Sequence, residues 1–255
     1  MVRKEKLLIV ANWKANPDSR KLALSILAGT KKAAAGKKHT DVVVCPPTLY
    51  LESLRSAARP LALGAQDIFT EPNGAFTGSI GYEALRETGI RYVIIGHSER
   101  RAAGETDADV NKKLRVALSI GLTPILCVGE AKREGLGYLA MIKSQIIMAL
   151  KDIPKTRVRD LVIAYEPVWA IGKDAARAAR PDEVAEVVMF AKRVIGDLYK
   201  TNSVPPVRII YGASVDAGNA ANIVAESGVD GLLVGRASLA PKAFAGIIAV
   251  LNDIS

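Results

Sequence analysis

Eight short apolar runs recur along the chain, and they limit its possible folds more than any other feature. Each run has three to five residues and is continuous rather than alternating in polarity, with many β-branched side chains. Such runs are typical of parallel strands that helices cover on both faces. The runs are Leu7–Ala11, Val42–Cys45, Leu61–Leu63, Tyr92–Ile95, Pro124–Val128, Leu161–Ala164, Val207–Ile210 and Gly231–Val234.

Helical patterns lie between these runs. Pro181 is followed by two acidic residues, which suit the first turn of a helix, and apolar residues recur behind it at helical spacing. The segment 106–109 resembles a capping box that begins another helix. Ser19, Leu22 and Ile26 are expected to share one face of a third helix. Strands and helices therefore alternate along the chain.

This alternation predicts an α/β protein of the (β/α)8 TIM-barrel type. No linker or break in composition divides the sequence, so residues 1–255 are expected to form a single barrel domain. The rival architecture is an open doubly wound sheet, which would favour a glycine-rich turn after the first strand. The segment 12–16 has no glycine, which favours the barrel.

Composition limits the partners of the protein. The net charge of +9 suits a nucleic acid, a membrane surface or an anionic small molecule. Aromatic residues make up only 5%, and the basic residues are scattered, so no nucleic-acid partner is expected. The charged start and the short run Leu7–Ala11 predict no signal peptide, no membrane partner and a cytoplasmic protein. Cys45 and Cys127 show no metal or redox spacing and are interpreted as reduced core thiols.

In a barrel, the carboxyl ends of the strands converge on one rim. A cation, an imidazole and a carboxylate at that rim could move a proton and stabilise an oxyanion. Taken singly, a lysine is usually a surface residue and a histidine can be a helix cap. A glutamate that ends an apolar strand is a stronger candidate for a functional residue, because burial raises its pKa towards neutral pH, which suits a general base. The residues predicted at this rim are Asn12, Lys14, His97, Ser98, Glu99, Cys127, Glu130, Glu166 and Ser214, with Gly212 and Gly235 after the last two strands.

Several motifs, in this order, resemble the triosephosphate isomerase family over about residues 7–251. They are ANWKAN, NGAFTG, IIGHSERR, CVGE, AYEPVWAIG, IIYGAS and GLLVGRASL. The segments GHSERR and YEPVWAIG are highly specific, whereas CVGE is not. The family is an established example of pKa tuning and of a loop that closes over the substrate.

The resemblance implies interconversion of dihydroxyacetone phosphate and D-glyceraldehyde 3-phosphate, a reaction of glycolysis and gluconeogenesis. It places the general base on Glu166, the neutral imidazole on His97 and the ammonium group on Lys14, with Asn12 beside it. It implies neither a metal nor an organic cofactor, because side chains can make every proton transfer. Contacts with the phosphorylated substrate fall on Asn12, Lys14, Gly172, Ser214, Gly235 and Arg236.

The sequence departs from the family at several places. The lid after Gly172, residues 173–180, is about two residues longer than usual. Ala213 and Arg236 replace glycines of the phosphate-binding loops, the segment after GHSERR is short, and Ser79 replaces an acidic residue. These changes bear on the lid, on phosphate affinity and on assembly, but not on the acid–base set.

The resemblance also implies a homodimer, formed by the loop Gln66 to Ile80. Its tip, residues 73–77, is small and apolar, as expected of a loop that inserts into a partner, although an ordinary surface turn would read similarly. Three rival functions stay open at this point. They are an isomerase of a longer sugar phosphate, a phosphate-binding barrel without activity, and a nucleic-acid-binding protein.

Overall fold

Eight parallel strands close into a barrel in chain order, as the sequence predicts. The computed structural model describes residues 6–133, 135, 137–172, 175, 177–201 and 206–254. The strands are β1 Leu7–Asn12, β2 Thr40–Cys45, β3 Ala62–Ala65, β4 Tyr92–Ile95, β5 Thr123–Val128, β6 Val162–Tyr165, β7 Arg208–Tyr211 and β8 Gly231–Val234. The last strand pairs with the first, with Leu8 opposite Gly231. The extent of the domain, residues 1–255, stays a prediction.

Helices follow the strands and cover the outside of the barrel. Those in the described part of the chain are α1 Arg20–Ala34, α2 Leu51–Ala58, α3 Tyr82–Glu87, α4 Ser98–Ala102, α5 Asp107–Ser119, α6 Gly137–Ala149, α7 Pro181–Leu198, α8 Ala220–Ser227 and α9 Pro241–Asp253. Short 3-10 helices lie at Thr48–Tyr50, Lys155–Asp160, Val168–Ala170 and Arg236–Leu239. No described helix combines the length and the apolar character needed to cross a membrane.

Two apolar clusters explain why the strands are continuously hydrophobic. One cluster consists of strand residues alone, among them Val10, Ile125 and Leu233, and fills the inside of the barrel. The other joins the opposite faces of the strands to the helices, and Ile9 and Phe244 belong to it. Since both faces of each strand are buried, an alternating polar pattern would place polar groups in a core.

The predicted helix starts are confirmed. Thr106 and Asp109 form the capping box of α5, and Pro181 is the first residue of α7. Ser19 caps α1 by accepting a hydrogen bond from the backbone of Leu22. Of the residues expected on one face of this helix, Ile26 is buried, whereas Leu22 is 46% exposed. The buried face contains Ala23, Ile26, Leu27 and Thr30, whose three- and four-residue spacing is the helical repeat.

Candidate active site

Glu166 stands at the carboxyl end of β6 and is buried, with 3% of the residue exposed. Its backbone N–H donates to the Val128 carbonyl at 2.8 Å, which continues the pairing of β6 with β5 beyond Tyr165. Gly129 leaves room for this segment. A Cβ at position 129 would lie 1.9 Å from the Glu166 carbonyl oxygen. The end of β6 is therefore fixed by backbone contacts on the β5 side.

Both carboxylate oxygens of Glu166 face hydrogen-bond donors. Oε1 lies 3.3 Å from His97 Nε2, and Oε2 accepts from the Ser98 backbone N–H at 3.2 Å. Burial raises the pKa of Glu166 above its ordinary value, and the neighbouring His97 opposes that shift. A carboxyl group with a raised pKa suits a base that must take up and release a proton near neutral pH.

His97 begins α4 and acts as its N-cap. Its Nδ1 atom accepts a hydrogen bond from the Glu99 backbone N–H at 3.1 Å. An Nδ1 atom that accepts carries no proton, so a neutral ring carries its proton on Nε2. This assignment follows from the hydrogen-bond network. The Nε2–H group therefore points towards the Glu166 carboxylate.

Lys14 projects from the turn after β1 in a strained backbone conformation. Its φ of 54° is one of three positive values among the described residues other than glycine. The Asn12 side chain accepts from the Lys14 backbone N–H at 3.0 Å, and Gln66 donates to the Lys14 carbonyl at 2.8 Å. Strain of this kind persists where neighbouring contacts hold the chain, often at functional sites.

The Lys14 ammonium group lies 2.7 Å from Glu99 Oε1. Two arginines, Arg100 and Arg101, follow Glu99 in the sequence. The two arginines instead pair elsewhere, Arg100 with Asp67 at 2.9 Å and Arg101 with Asp107 at 2.6 Å. Glu99 is free for Lys14 because α4 directs successive side chains to different sides of the helix.

The segment after Glu166 is anchored by a buried carboxylate. Glu130 Oε1 accepts from the Trp169 indole N–H at 2.8 Å and from the Tyr165 hydroxyl at 2.9 Å. Burial raises the pKa of Glu130. Ser214 donates from its hydroxyl to the Ala170 carbonyl at 2.7 Å. These contacts join the start of the lid to β5, β6 and the loop after β7.

The predicted phosphate contacts are not all equally close to the acid–base set. A Cβ on Gly235 would lie 3.6 Å from Lys14 Cε, so Gly235 adjoins the ammonium side chain. Gly172 is exposed, with a φ of 91°. Arg236 is exposed and makes no hydrogen bond or ion pair within the described part of the chain. Of the predicted lid stretch 173–180, residues 173, 174 and 176 lie outside the described residues.

The structure adds residues that sequence reasoning missed. Gln66 is 52 positions from Lys14, so no local pattern reveals their contact. Gly129 belongs to the CVGE segment, but the sequence does not show that this glycine lies against the Glu166 backbone. Cys127, which the sequence places at the rim, is buried, and burial holds the pKa of its thiol well above the usual value. A thiol that stays protonated is not a nucleophile.

Within the residues described, no group of three or more His, Cys, Asp or Glu side chains is arranged to hold a metal ion. The site instead combines a buried carboxylate, an imidazole and an ammonium group at the carboxyl rim of a closed barrel. This combination defines an enzyme class that moves protons by side-chain acid–base chemistry and favours anionic substrates.

Comparison with known proteins identifies the family. The sequence model of triosephosphate isomerase matches residues 7–251. Triosephosphate isomerase of Rhodopirellula baltica is 41% identical over 248 residues, which cover 95% of this chain and 96% of the relative. That of Moorella thermoacetica is 43% identical over 251 residues, with 94% and 97% covered. The chain belongs to the triosephosphate isomerase family and is an enzyme of the intramolecular isomerase class.

Proposed function

We propose that the enzyme interconverts dihydroxyacetone phosphate and D-glyceraldehyde 3-phosphate through an enediolate, as a step of glycolysis and gluconeogenesis. The observation that carries this proposal is the 3.3 Å approach of His97 Nε2 to Glu166 Oε1 in a buried site of a chain from this family. The two groups can reach neighbouring oxygen and hydrogen atoms of one small substrate.

In the proposed mechanism, Glu166 removes a proton from the carbon next to the substrate carbonyl. The electrons of that C–H bond form the carbon–carbon double bond, and the carbonyl oxygen becomes the enediolate oxygen. His97 donates a hydrogen bond to this oxygen from Nε2. The proton of the neighbouring hydroxyl group passes to the former carbonyl oxygen by way of His97 Nε2, so that the hydroxyl oxygen becomes the new carbonyl oxygen. The protonated Glu166 returns its proton to the adjacent carbon, and these transfers together complete the isomerisation. No metal or organic cofactor is invoked, because each transfer lies within the chemistry of these side chains.

Lys14 contributes positive charge where the substrate and the enediolate are anionic. Its ammonium group is already held by Glu99, so the substrate would compete with this carboxylate or share the lysine with it. We assign the substrate phosphate to the backbone groups of Gly172, Gly235 and Arg236 and to Ser214, with Asn12 and Lys14 on the side of the reacting carbons. Backbone N–H groups of strand-end loops bind phosphate in many barrels.

A turnover assay tests the activity. The purified enzyme is offered dihydroxyacetone phosphate in a coupled assay, and the reverse reaction is measured with D-glyceraldehyde 3-phosphate. Reaction in D2O, followed by NMR, reports deuterium entering the substrate carbon, as proton removal by a base requires. A much higher kcat/KM for a four-carbon ketose phosphate would assign the enzyme to a longer substrate, and the absence of turnover would leave only a phosphate-binding barrel.

We also propose that the protein is a cytoplasmic homodimer, formed by the loop of residues 66–80. Residues 73–80 are exposed, and the ring of Phe76, 45% exposed, packs edge-on against Phe69 with 5.0 Å between ring centres. Light scattering of Phe76→Asp should show dissociation to single chains. Leu22→Asp, at an equally exposed position on α1, is the control and should leave the dimer intact. A wild type that scatters as a single chain would contradict the proposal.

A further inference from the structure

Arg177 lies within the lengthened lid and has two specific contacts. Its guanidinium group is bidentate on Glu183, with both N–O distances 2.7 Å. Its central carbon also lies 4.9 Å from the centre of the Trp169 ring. A bidentate pair and a cation–π contact both require the guanidinium plane to hold one orientation, which a lysine cannot reproduce.

The two partners of Arg177 belong to opposite ends of the lid. Trp169 lies in the 3-10 helix that follows Glu166, and Glu183 lies in the first turn of α7. Glu183 is buried, and Oε2 also accepts from the Arg180 backbone N–H at 2.8 Å. One side chain therefore joins the start of the lid to the helix that ends it.

Trp169 is connected by hydrogen bonds to the segment that carries Glu166, the proposed base. The Trp169 indole donates to Glu130, whose backbone carbonyl accepts from the Val168 N–H at 2.9 Å. Val168 is two residues from Glu166. A change in the position of the indole therefore acts on the short turn that carries both the carboxylate and the beginning of the lid.

We propose that Arg177 is a positioning residue, which fixes Trp169 against the start of α7 and so holds these two segments in place for binding of the phosphorylated substrate. This inference rests on the proposed function for its substrate. It differs from direct phosphate binding by Arg177, which is the other role open to an arginine of the lid. In the structure both terminal nitrogens of Arg177 donate to Glu183, and Nη1 also donates to the Ala178 carbonyl at 3.1 Å.

The pair with Arg177 is also the main reason why the pKa of Glu183 falls to about 2. The contact therefore persists over the whole pH range of an ordinary kinetic assay. Since the Arg177 side chain is 48% exposed, solvent screens the pair, and its loss should change binding without unfolding the protein.

The test compares Arg177→Ala and Glu183→Gln with Arg180→Ala. Arg180 pairs with Asp182 at 3.0 Å and more loosely with Glu183 at 3.5 Å, but among the described residues only Arg177 lies over the Trp169 ring. Arg180→Ala therefore controls for loss of a lid arginine and of positive charge near Glu183. Competitive inhibition by glycerol 3-phosphate should weaken by about threefold to tenfold in the first two variants. This is the change in affinity expected when one solvent-screened ion pair and one cation–π contact are lost. It should change by less than about twofold in the control.

Trp169 fluorescence supplies a readout that needs no turnover. The protein has two tryptophans, and the other, Trp13, is fully buried. Acrylamide should therefore quench Trp169 more strongly in Arg177→Ala than in the wild type, with no such change in Arg180→Ala. Equal quenching in Arg177→Ala and Arg180→Ala would overturn the proposal.

Glu183→Gln separates positioning from direct phosphate binding. If Arg177 acts through Glu183, the two variants should weaken inhibition alike. If Arg177 bound the phosphate itself, Arg177→Ala alone would weaken inhibition and Glu183→Gln would leave it intact, which would refute the positioning role. An inactive wild type would contradict the proposed function, but the acrylamide experiment would still show whether Arg177 holds Trp169 in place.

Discussion

Replacing Glu166 by glutamine removes the proposed base while keeping nearly the same volume in the barrel. General base catalysis contributes about 10² to 10⁴ in rate, which corresponds to about 2.7 to 5.5 kcal/mol of activation free energy. We expect kcat to fall by at least ~10². The residual activity would come from the imidazole and ammonium groups, which the substitution leaves in place.

The same substitution should change stability only slightly, because two effects oppose each other. Burial penalises the ionised carboxylate, so an uncharged amide removes a cost from the folded state. However, Glu166 accepts from Ser98 and faces the Nε2–H of His97, and an amide has only one acceptor oxygen. One buried donor then loses its acceptor, at a cost of about 1–3 kcal/mol.

The coupled assay on Glu166→Gln is read beside its thermal unfolding. We expect Tm within about 5 °C of the wild type, since about 1 kcal/mol shifts Tm by roughly 2–4 °C in a domain of this size. A folded variant with kcat within about tenfold of the wild type would refute the assignment of the base. A large fall in Tm would instead show that the two acceptor contacts hold the end of β6 together.

Three further predictions concern the surroundings of this base. Gly129→Ala should cost more than about 1–3 kcal/mol of stability and about 10² in kcat/KM, since its Cβ would meet the Glu166 carbonyl at 1.9 Å. Gly137→Ala, with no atom within 4 Å of the added Cβ, is the control and should retain activity. Trp169→Phe should lower the free energy of unfolding by about 1.5–3 kcal/mol, measured in urea, because the buried carboxylate of Glu130 loses a donor. Because burial raises the pKa of Glu166, its ionised form lowers the stability of the folded protein at pH values above that pKa, and this loss of stability disappears as the pH falls through the pKa. A ¹³C NMR titration, with the Glu166 signal assigned by comparison with Glu166→Gln, should have a midpoint above 4.5. A midpoint at or below 4.5 would contradict this prediction.

The order of the strands could be predicted from the sequence because burial of both faces leaves a continuous apolar run. The residues at which each strand begins and ends were predicted less accurately from the sequence. The run Leu161–Ala164 becomes a strand from Val162 to Tyr165, since Tyr165 is amphipathic and its hydroxyl finds Glu130 in the core. A tyrosine of this kind carries no clear signal in an apolar pattern. Leu22 shows that an apolar residue within a helical pattern need not be buried, because it is 46% exposed.

Contacts between rim residues depend on three-dimensional placement that local patterns do not contain. The motifs around Lys14 and Glu99 predict that both lie at the rim, but their 85-residue separation conceals the ion pair between them. The sequence neighbours of Glu99 are arginines, but these pair with Asp67 and Asp107. The closed barrel brings the ends of β1 and β4 to the same rim, and only that geometry selects Lys14.

Glu99 connects the two groups that act beside the base. Its backbone N–H fixes the tautomer of His97 through Nδ1, and its carboxylate holds the Lys14 ammonium group. The His97 Nε2–H in turn faces Glu166. The ammonium, imidazole and carboxylate groups thus belong to one hydrogen-bonded network rather than three separate sites. Substitutions within such a network are not expected to add, because each removes a contact that orients the next group. A loss of activity measured at Lys14 therefore includes any displacement of Glu99, and through α4 any displacement of the imidazole.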